Sequence, residues 1–263
     1  MPRTPELLHI WQDAIPKMAF KSSHLMYQVL AVSAFHKAHL APSEREHWVL
    51  RALGFHGRTT EDLRLATREL TEESCHSIFA TASLLVINSF ASYSCQSPGS
   101  AIEDLLDIFE LTRGMNGILK MYESSLWSGP LARQFHPSDQ PRDSAELGDV
   151  MHDLAKMAAS PSNVVGSDPA CRQAAESLTY AIERAMLTSS APHLRVVFYW
   201  PIALSDEFMR LLKQKEPSAF VVLWYYARVL SLGEPNVWFL SGWGESLLRD
   251  AQHLTHDAVG TLN

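Results

Sequence analysis

The acids Glu103, Asp104 and Asp107 stand close enough to act together. Carboxylates three or four apart share one helix face and could hold a magnesium ion bound to a diphosphate. Acids at the start of a helix also complement its dipole, and no second metal motif accompanies these. His36 and His39 share a face three residues apart, with His24 and His47 nearby in sequence, but there is no HExxH spacing. Neither set is expected to bind metal, and no cofactor is expected. Cys75 precedes His76. Adjacent helix residues do not face each other, so a buried inert thiol is expected there rather than a Cys–His nucleophile pair. GxSxG, GxxxxGK[ST] and GxGxxG are all missing. That removes the common hydrolase, P-loop and dinucleotide readings.

The aromatic residues near the C-terminus are more suggestive. Trp200, Trp224, Tyr225, Tyr226, Trp238, Phe239 and Trp243 fall within 44 residues. Rings at this density mostly fill a core. They also wall pockets for flat, rigid, apolar ligands, with Trp N–H and Tyr O–H groups as polar handles. Trp200, Trp224, Tyr225, Trp238, Phe239 and Trp243 are the expected ligand contacts. Gly242 and Gly244 flank Trp243, which suggests a loop whose backbone passes close to something.

The elements that must carry these residues read as helices almost throughout, with no convincing strand pair. Thr4-Pro5 reads as an N-cap with Pro at the first helical position, and Leu7, Leu8, Trp11, Ala14 and Ile15 form a stripe behind it. A second helix is expected from Ser22-Ser23, apolar over most of its circumference and therefore deeply buried. Ser43 with Glu46 reads as a capping box opening a segment to about Leu70, with Trp48, Leu50, Ala52, Phe55, Leu63 and Leu65 inside and Gly54 and Gly57 as points of bending or breakage. Thr71 to Glu73 precedes an apolar helix over 78–91. Gln96 to Gly99 reads as a turn, and Ser100 with Glu103 opens a helix to Leu119. Residues 137–169 read as an irregular connection between two helical halves, 1–136 and 170–263, with a short helix near 147–157. Helices are expected over 170–187, from Trp200-Pro201, from Ser205-Asp206 to Leu212, from Pro217 to Leu232, and over 244–255.

The chain has 263 residues, 46% of them hydrophobic and 19% charged, with a net charge of -7 and a pI near 5.9. That suffices for one large core. An acidic domain gains nothing from counterion release, so no direct nucleic-acid contact is expected. Three widely spaced cysteines fit reduced thiols. No secretory apolar core follows the N-terminus, and the longest apolar stretch, 219–227, is too short for a bilayer. A soluble cytoplasmic or nuclear protein with no membrane contact is expected.

Several segments resemble one family. They are Trp11-(x3)-Ile15-Pro16; Leu30-Ala31-Val32-Ser33-Ala34-Phe35-His36; Glu73 to Leu85, with Cys75-His76 inside; Asp104-Leu105-Leu106-(x2)-Phe109-Glu110-Leu111-Thr112-Arg113-Gly114; and Trp127-x-Gly129-Pro130-Leu131. Further on come Trp200-Pro201-Ile202, Glu216-Pro217 through Tyr226-Ala227, and Trp238-Phe239-Leu240-x-Gly242-Trp243-Gly244. In this order they resemble the C-terminal regulatory domain of fungal zinc-cluster transcription factors similar to sterol uptake control proteins. The resemblance implies one all-α domain over 1–263, a bundle of roughly ten helices around an internal hydrophobic pocket. A sterol-like or terpenoid-like ligand would control transcription from it. The family's six-cysteine cluster has no counterpart in these residues, so this chain alone is not expected to contact DNA. The partner expected is a hydrophobic small molecule, in a pocket between the helical halves; a homodimer is compatible with the sequence.

The rival expectation is a cofactor-free cyclase, isomerase or cycloaddition catalyst of secondary metabolism that has reused the pocket. An apolar cavity suits such chemistry, because it needs mainly substrate folding and a few polar groups. His36, Asp107, Arg113, Tyr225 and Tyr226 are its candidate catalytic residues.

Overall fold

The structure is a computed structural model describing residues 8–66, 70–96, 100–138, 140–160 and 162–259. Every regular element among them is helical, so the all-α expectation holds. The Thr4-Pro5 cap and the turn at 97–99 lie outside the described residues. The chain divides into two compact units, one of residues 1–99 and 107–136, the other of 100–106 and 137–263.

In the first unit a π-helical turn, Ile10–Ala14, leads into α1, Ile15–Ala19. Pro16 explains the wide turn: it has no N–H for the ladder, and its ring needs room against the preceding carbonyls. Next come α2 (Ser23–Leu40), α3 (Arg45–Ala66), α4 (Cys75–Cys95), α5 (Ala101–Met121, here from residue 107) and α6 (Glu123–Ser128). Helix α2 packs against α3 and α4. Leu25, Ala31, Phe35 and Ala38 are fully buried in it.

Helix α4 is the spine of this unit. Its length and hydropathy would let it cross a membrane, but 78% of its apolar window is buried inside the fold, so it reads as a core helix. It begins with a reciprocal pair: the Ser74 N–H donates to Thr71 Oγ1 at 3.2 Å, and the Thr71 N–H to Ser74 Oγ at 3.0 Å. One buried polar knot ties three helices. Asn88 Nδ2 donates to Gln28 Oε1 at 2.7 Å and to the Gln28 carbonyl at 3.0 Å, and His56 Nδ1 lies 3.3 Å from Gln28 Oε1.

Two expectations for α3 need correction. Chain entry is through a 3-10 turn, Pro42–Glu44, with Ala41 before it and no side-chain cap, so Ser43 and Glu46 form no capping box. The helix also runs unbroken through Gly54 and Gly57, with its buried face at Val49, Ala52 and Thr59. Leu50 is 65% exposed. Trp48 lies on the half-exposed flank, donating to Glu44 Oε2 at 2.9 Å beneath the Lys37 ammonium.

The second unit holds α7 (Ala145–Ala159), α8 (Val164–Ser167), α9 (Pro169–Thr188), α10 (Pro192–Ala203), α11 (Asp206–Lys213), α12 (Pro217–Gly233) and α13 (Trp243–Val259). The stretch read as an irregular connection thus contains a four-turn helix, α7, which buries Leu147, Val150 and Leu154. Three starts follow ordinary capping. Ser144 accepts from the Leu147 N–H, Asp168 from the Ala170 and Cys171 N–H groups, and Ser205 from the Phe208 N–H. Trp200-Pro201 closes α10 rather than opening a helix. The ring of Pro201 is tolerated in the last turn, where little helix remains to disrupt.

Candidate functional site

A groove of about 820 Å³ opens along α5 in the first unit. That volume lies within the range of small-molecule sites. Helix α5 positions most of it. Ile108, Phe109 and Thr112 point into the core. Asp107, Glu110, Leu111, Gly114, Ile118 and Met121 fall at spacings of three and four on the other side and line the opening. Ala82 and Leu85 of α4 complete the floor, while Leu63 of α3 and Leu70 close the far wall. The Tyr122 hydroxyl donates to the Leu70 carbonyl at 2.8 Å and holds that wall in place. Met121 is 71% exposed and Leu111 37%, an apolar surface left to solvent.

Gly114 and Gly117 sit inside α5, where glycine costs about 1 kcal/mol relative to alanine. A Cβ at either would touch nothing within 4 Å. Packing within the unit therefore does not require them; their effect is to widen the groove.

Of the candidate catalytic residues, only Asp107 lines this groove. His36 lies on the exposed side of α2, and Arg113 on the flank of α5. Tyr225 and Tyr226 belong to the second unit. The Tyr226 hydroxyl is fully buried and donates to the Val197 carbonyl at 2.9 Å; burial pushes its pKa well up. Tyr225 places its hydroxyl 2.9 Å from Met157 Sδ, and burial raises its pKa too.

The six expected aromatic ligand contacts all lie in the second unit. Trp200, Phe239 and Trp243 are buried to the last few per cent. Trp200 packs on Tyr226 with ring centroids 4.7 Å apart and on Phe208 at 6.1 Å, and its N–H donates to the Ala174 carbonyl and Ser177 Oγ. Phe239 lies between Phe198 and Trp238. Trp224 and Tyr225 meet edge to face, with ring centroids 5.0 Å apart, beside Arg228, which reaches Asp153 at 3.6 Å. These rings are knit into the unit's own packing, and none is among the residues that line the α5 groove. Apart from Asp107, the sequence reading named none of the groove-lining residues as site residues. The available signal was a helix apolar on two faces, with two interior glycines.

The motif glycine Gly129 is explained by close packing. A Cβ on Gly129 would stand 2.1 Å from the His76 ring, so the backbone at Gly129 passes directly against that imidazole. His76 Nδ1 is buried without a hydrogen-bond partner in the structure, and burial lowers its pKa. Cys75 donates to the Glu72 carbonyl, away from a nucleophilic role, and burial raises its thiol pKa. Cys171 is pushed up to about 12 by burial. All three cysteines are free and buried. Among the described residues no three His, Cys, Asp or Glu side chains come together as a metal site.

Burial also lowers the pKa of His56 and His193, the latter partly offset by Glu146. An unfolded imidazole protonates near pH 6.5; the three folded ones resist until lower pH. The unfolded state then binds more protons, so stability falls as pH drops through about 6.5 and levels off once the folded rings also charge. Urea midpoints at pH 7.5, 6.5 and 5.5 should decline in that order. The His56→Gln/His76→Gln/His193→Gln triple variant should decline less, and an equal decline would show the acid loss to lie elsewhere.

Residues 5–126 match the family model of the fungal specific transcription factor domain. That stretch covers most of the first unit, including α2 to α5, and the match agrees with the resemblance seen in the sequence. No curated protein matches the chain.

Proposed function

We propose that this protein is a ligand-sensing regulatory domain of a fungal transcriptional regulator and that the α5 groove holds a hydrophobic, sterol-like or terpenoid-like molecule. The match to a fungal transcription factor domain supports the regulatory half of this reading. The single observation that carries the ligand half is the apolar groove widened by Gly114 and Gly117 at a cost in helix propensity. Occupancy would couple to transcription by favouring one of two populations of the domain. Such a protein would work in the cytoplasm or nucleus. The catalytic alternative finds no support in the groove, where Asp107 is the only one of its five candidate residues.

The test is titration with a fluorescent sterol, paired with a reporter driven by the chain fused to a heterologous DNA-binding domain. Gly114→Leu fills the groove where nothing stands within 4 Å and removes an interior helix glycine, so the variant should fold. The wild type should bind saturably and change reporter output with sterol. Gly114→Leu should bind at least tenfold more weakly and lose the response. Equal binding by both proteins, or none by the wild type, rejects the groove as a sensing site.

A further inference from the structure

The second unit carries an outer face that its own packing leaves unexplained. Helix α9 turns Ala174, Leu178, Ala181 and Ala185 inward. Tyr180, Arg184 and Leu187, at spacings of four and three, share its solvent side. Helix α10 packs on α9, buries Val196, Val197 and Trp200, and presents Arg195 and Tyr199, again four apart. Tyr180, Leu187 and Tyr199 are 49–63% exposed. The two helices bring their cations together: Arg195 is half-buried, and Arg184 lies close enough to disfavour its charge. Burial pulls the Arg195 pKa below the ordinary guanidinium value; the Tyr199 phenol opposes this, and Arg184 adds to it. No hydrogen bond or ion pair engages the Arg195 guanidinium among the described residues. Exposed Glu183 borders the stripe without an ion pair to Arg195.

Holding a cation half out of water, beside another cation and without a carboxylate, costs stability, and nothing described in the unit offsets it. A carboxylate from outside would accept from the guanidinium fork and offset that cost. Tyr and Arg are also the side chains that most often anchor protein interfaces. We propose that this α9–α10 face docks an acidic amphipathic segment of a partner protein, with its carboxylates on Arg184 and Arg195 and its apolar side chains across Tyr180, Leu187 and Tyr199. Charge complementarity favours this occupant. Two cations are few for a phosphate backbone or an anionic bilayer, which the net charge of -7 repels. A second copy meeting face to face would bring its own arginine pair to the same interface. The face shares no residue with the α5 groove lining, so the two stand or fall separately.

Panning a displayed library of random peptides on the full chain tests it. Enriched sequences should combine Asp or Glu with Leu, Phe or Trp. A fluorescein-labelled peptide from that pool should bind about tenfold more weakly to Arg195→Gln and to Tyr199→Ala, the loss expected of an interface anchor. The urea midpoint of Arg195→Gln should not fall below that of the wild type, since the substitution removes a half-buried unpaired charge; this separates lost docking from lost folding. Arg249→Gln removes an exposed cation on α13 and should leave peptide affinity unchanged, which separates local recognition from overall charge. Enriched peptides without acids, peptide binding that survives Arg195→Gln, or no enriched peptide at all overturns the proposal. So does finding that Arg195→Gln abolishes binding of a labelled DNA duplex or of phosphatidylserine vesicles, or self-association of the chain, while peptide affinity is unchanged; each would assign the face a different occupant.

Discussion

Trp200→Ala should destabilise the second unit by about 3–5 kcal/mol, the range for a buried large aromatic replaced by alanine. That is a large share of the 5–15 kcal/mol that holds a typical domain. The ring is fully buried and meets Tyr226 and Phe208. Its N–H serves two acceptors, the Ala174 carbonyl at 3.0 Å and Ser177 Oγ at 3.1 Å. Two losses therefore combine in the variant: the volume of the indole, and a donor that α9 cannot replace. Trp200→Phe separates them, since it keeps much of the ring and removes the N–H; it should cost about 1–3 kcal/mol, the scale of a buried acceptor left unmet. Urea unfolding followed by far-UV circular dichroism gives the stability, and amide exchange on α9, α10 and α12 gives its place. A Trp200→Ala midpoint equal to wild type would mean that the indole faces open space rather than core.

The same packing explains what sequence could not separate. A cluster of rings within 44 residues is equally compatible with a core and with a pocket wall, because both reward large apolar surfaces. Which one obtains depends on residues far along the chain: Ala174, Ser177 and Val197 supply the acceptors that lock Trp200 and Tyr226 in place. Helix starts were legible where the signal is local. Ser100, Ser205 and Pro217 open α5, α11 and α12 as their chemistry dictates. The start of α3 was not, because Pro42 favours a tight turn and displaces Ser43 from the capping position. The buried face of α3 was misread for a related reason. Trp48 and Leu50 look like core by type, whereas the surface that meets α2 and α4 needs the smaller Ala52 and Thr59. The groove lay hidden on α5, where Leu111, Ile118 and Met121 read simply as more of an apolar helix.

Gly244→Ala carries the second large effect, an overpacking cost of about 1–3 kcal/mol or somewhat more where the contact is with backbone. A Cβ at this position would stand 2.0 Å from Ser231 Oγ and 2.7 Å from both Ser231 N and Cα. The first contact can be relieved by a rotamer change; the other two cannot without moving α12 away from α13. The surrounding turn is built for this approach. Gly242 takes a φ of +82°, which glycine accepts without strain. The Glu234 carboxylate accepts from the Gly242 N–H at 3.1 Å and the Gly244 N–H at 2.7 Å, placing an anion at the start of α13. Trp243 is thereby driven fully inside. Ser231→Gly in the Gly244→Ala background removes the hydroxyl contact but leaves the backbone, so it should recover only part of the lost stability. Thermal unfolding of the two single variants and the double variant measures that fraction. Complete recovery would show that the side chain alone sets the distance between these helices, and no loss in Gly244→Ala would show that the Gly242-Trp243-Gly244 turn has room to spare.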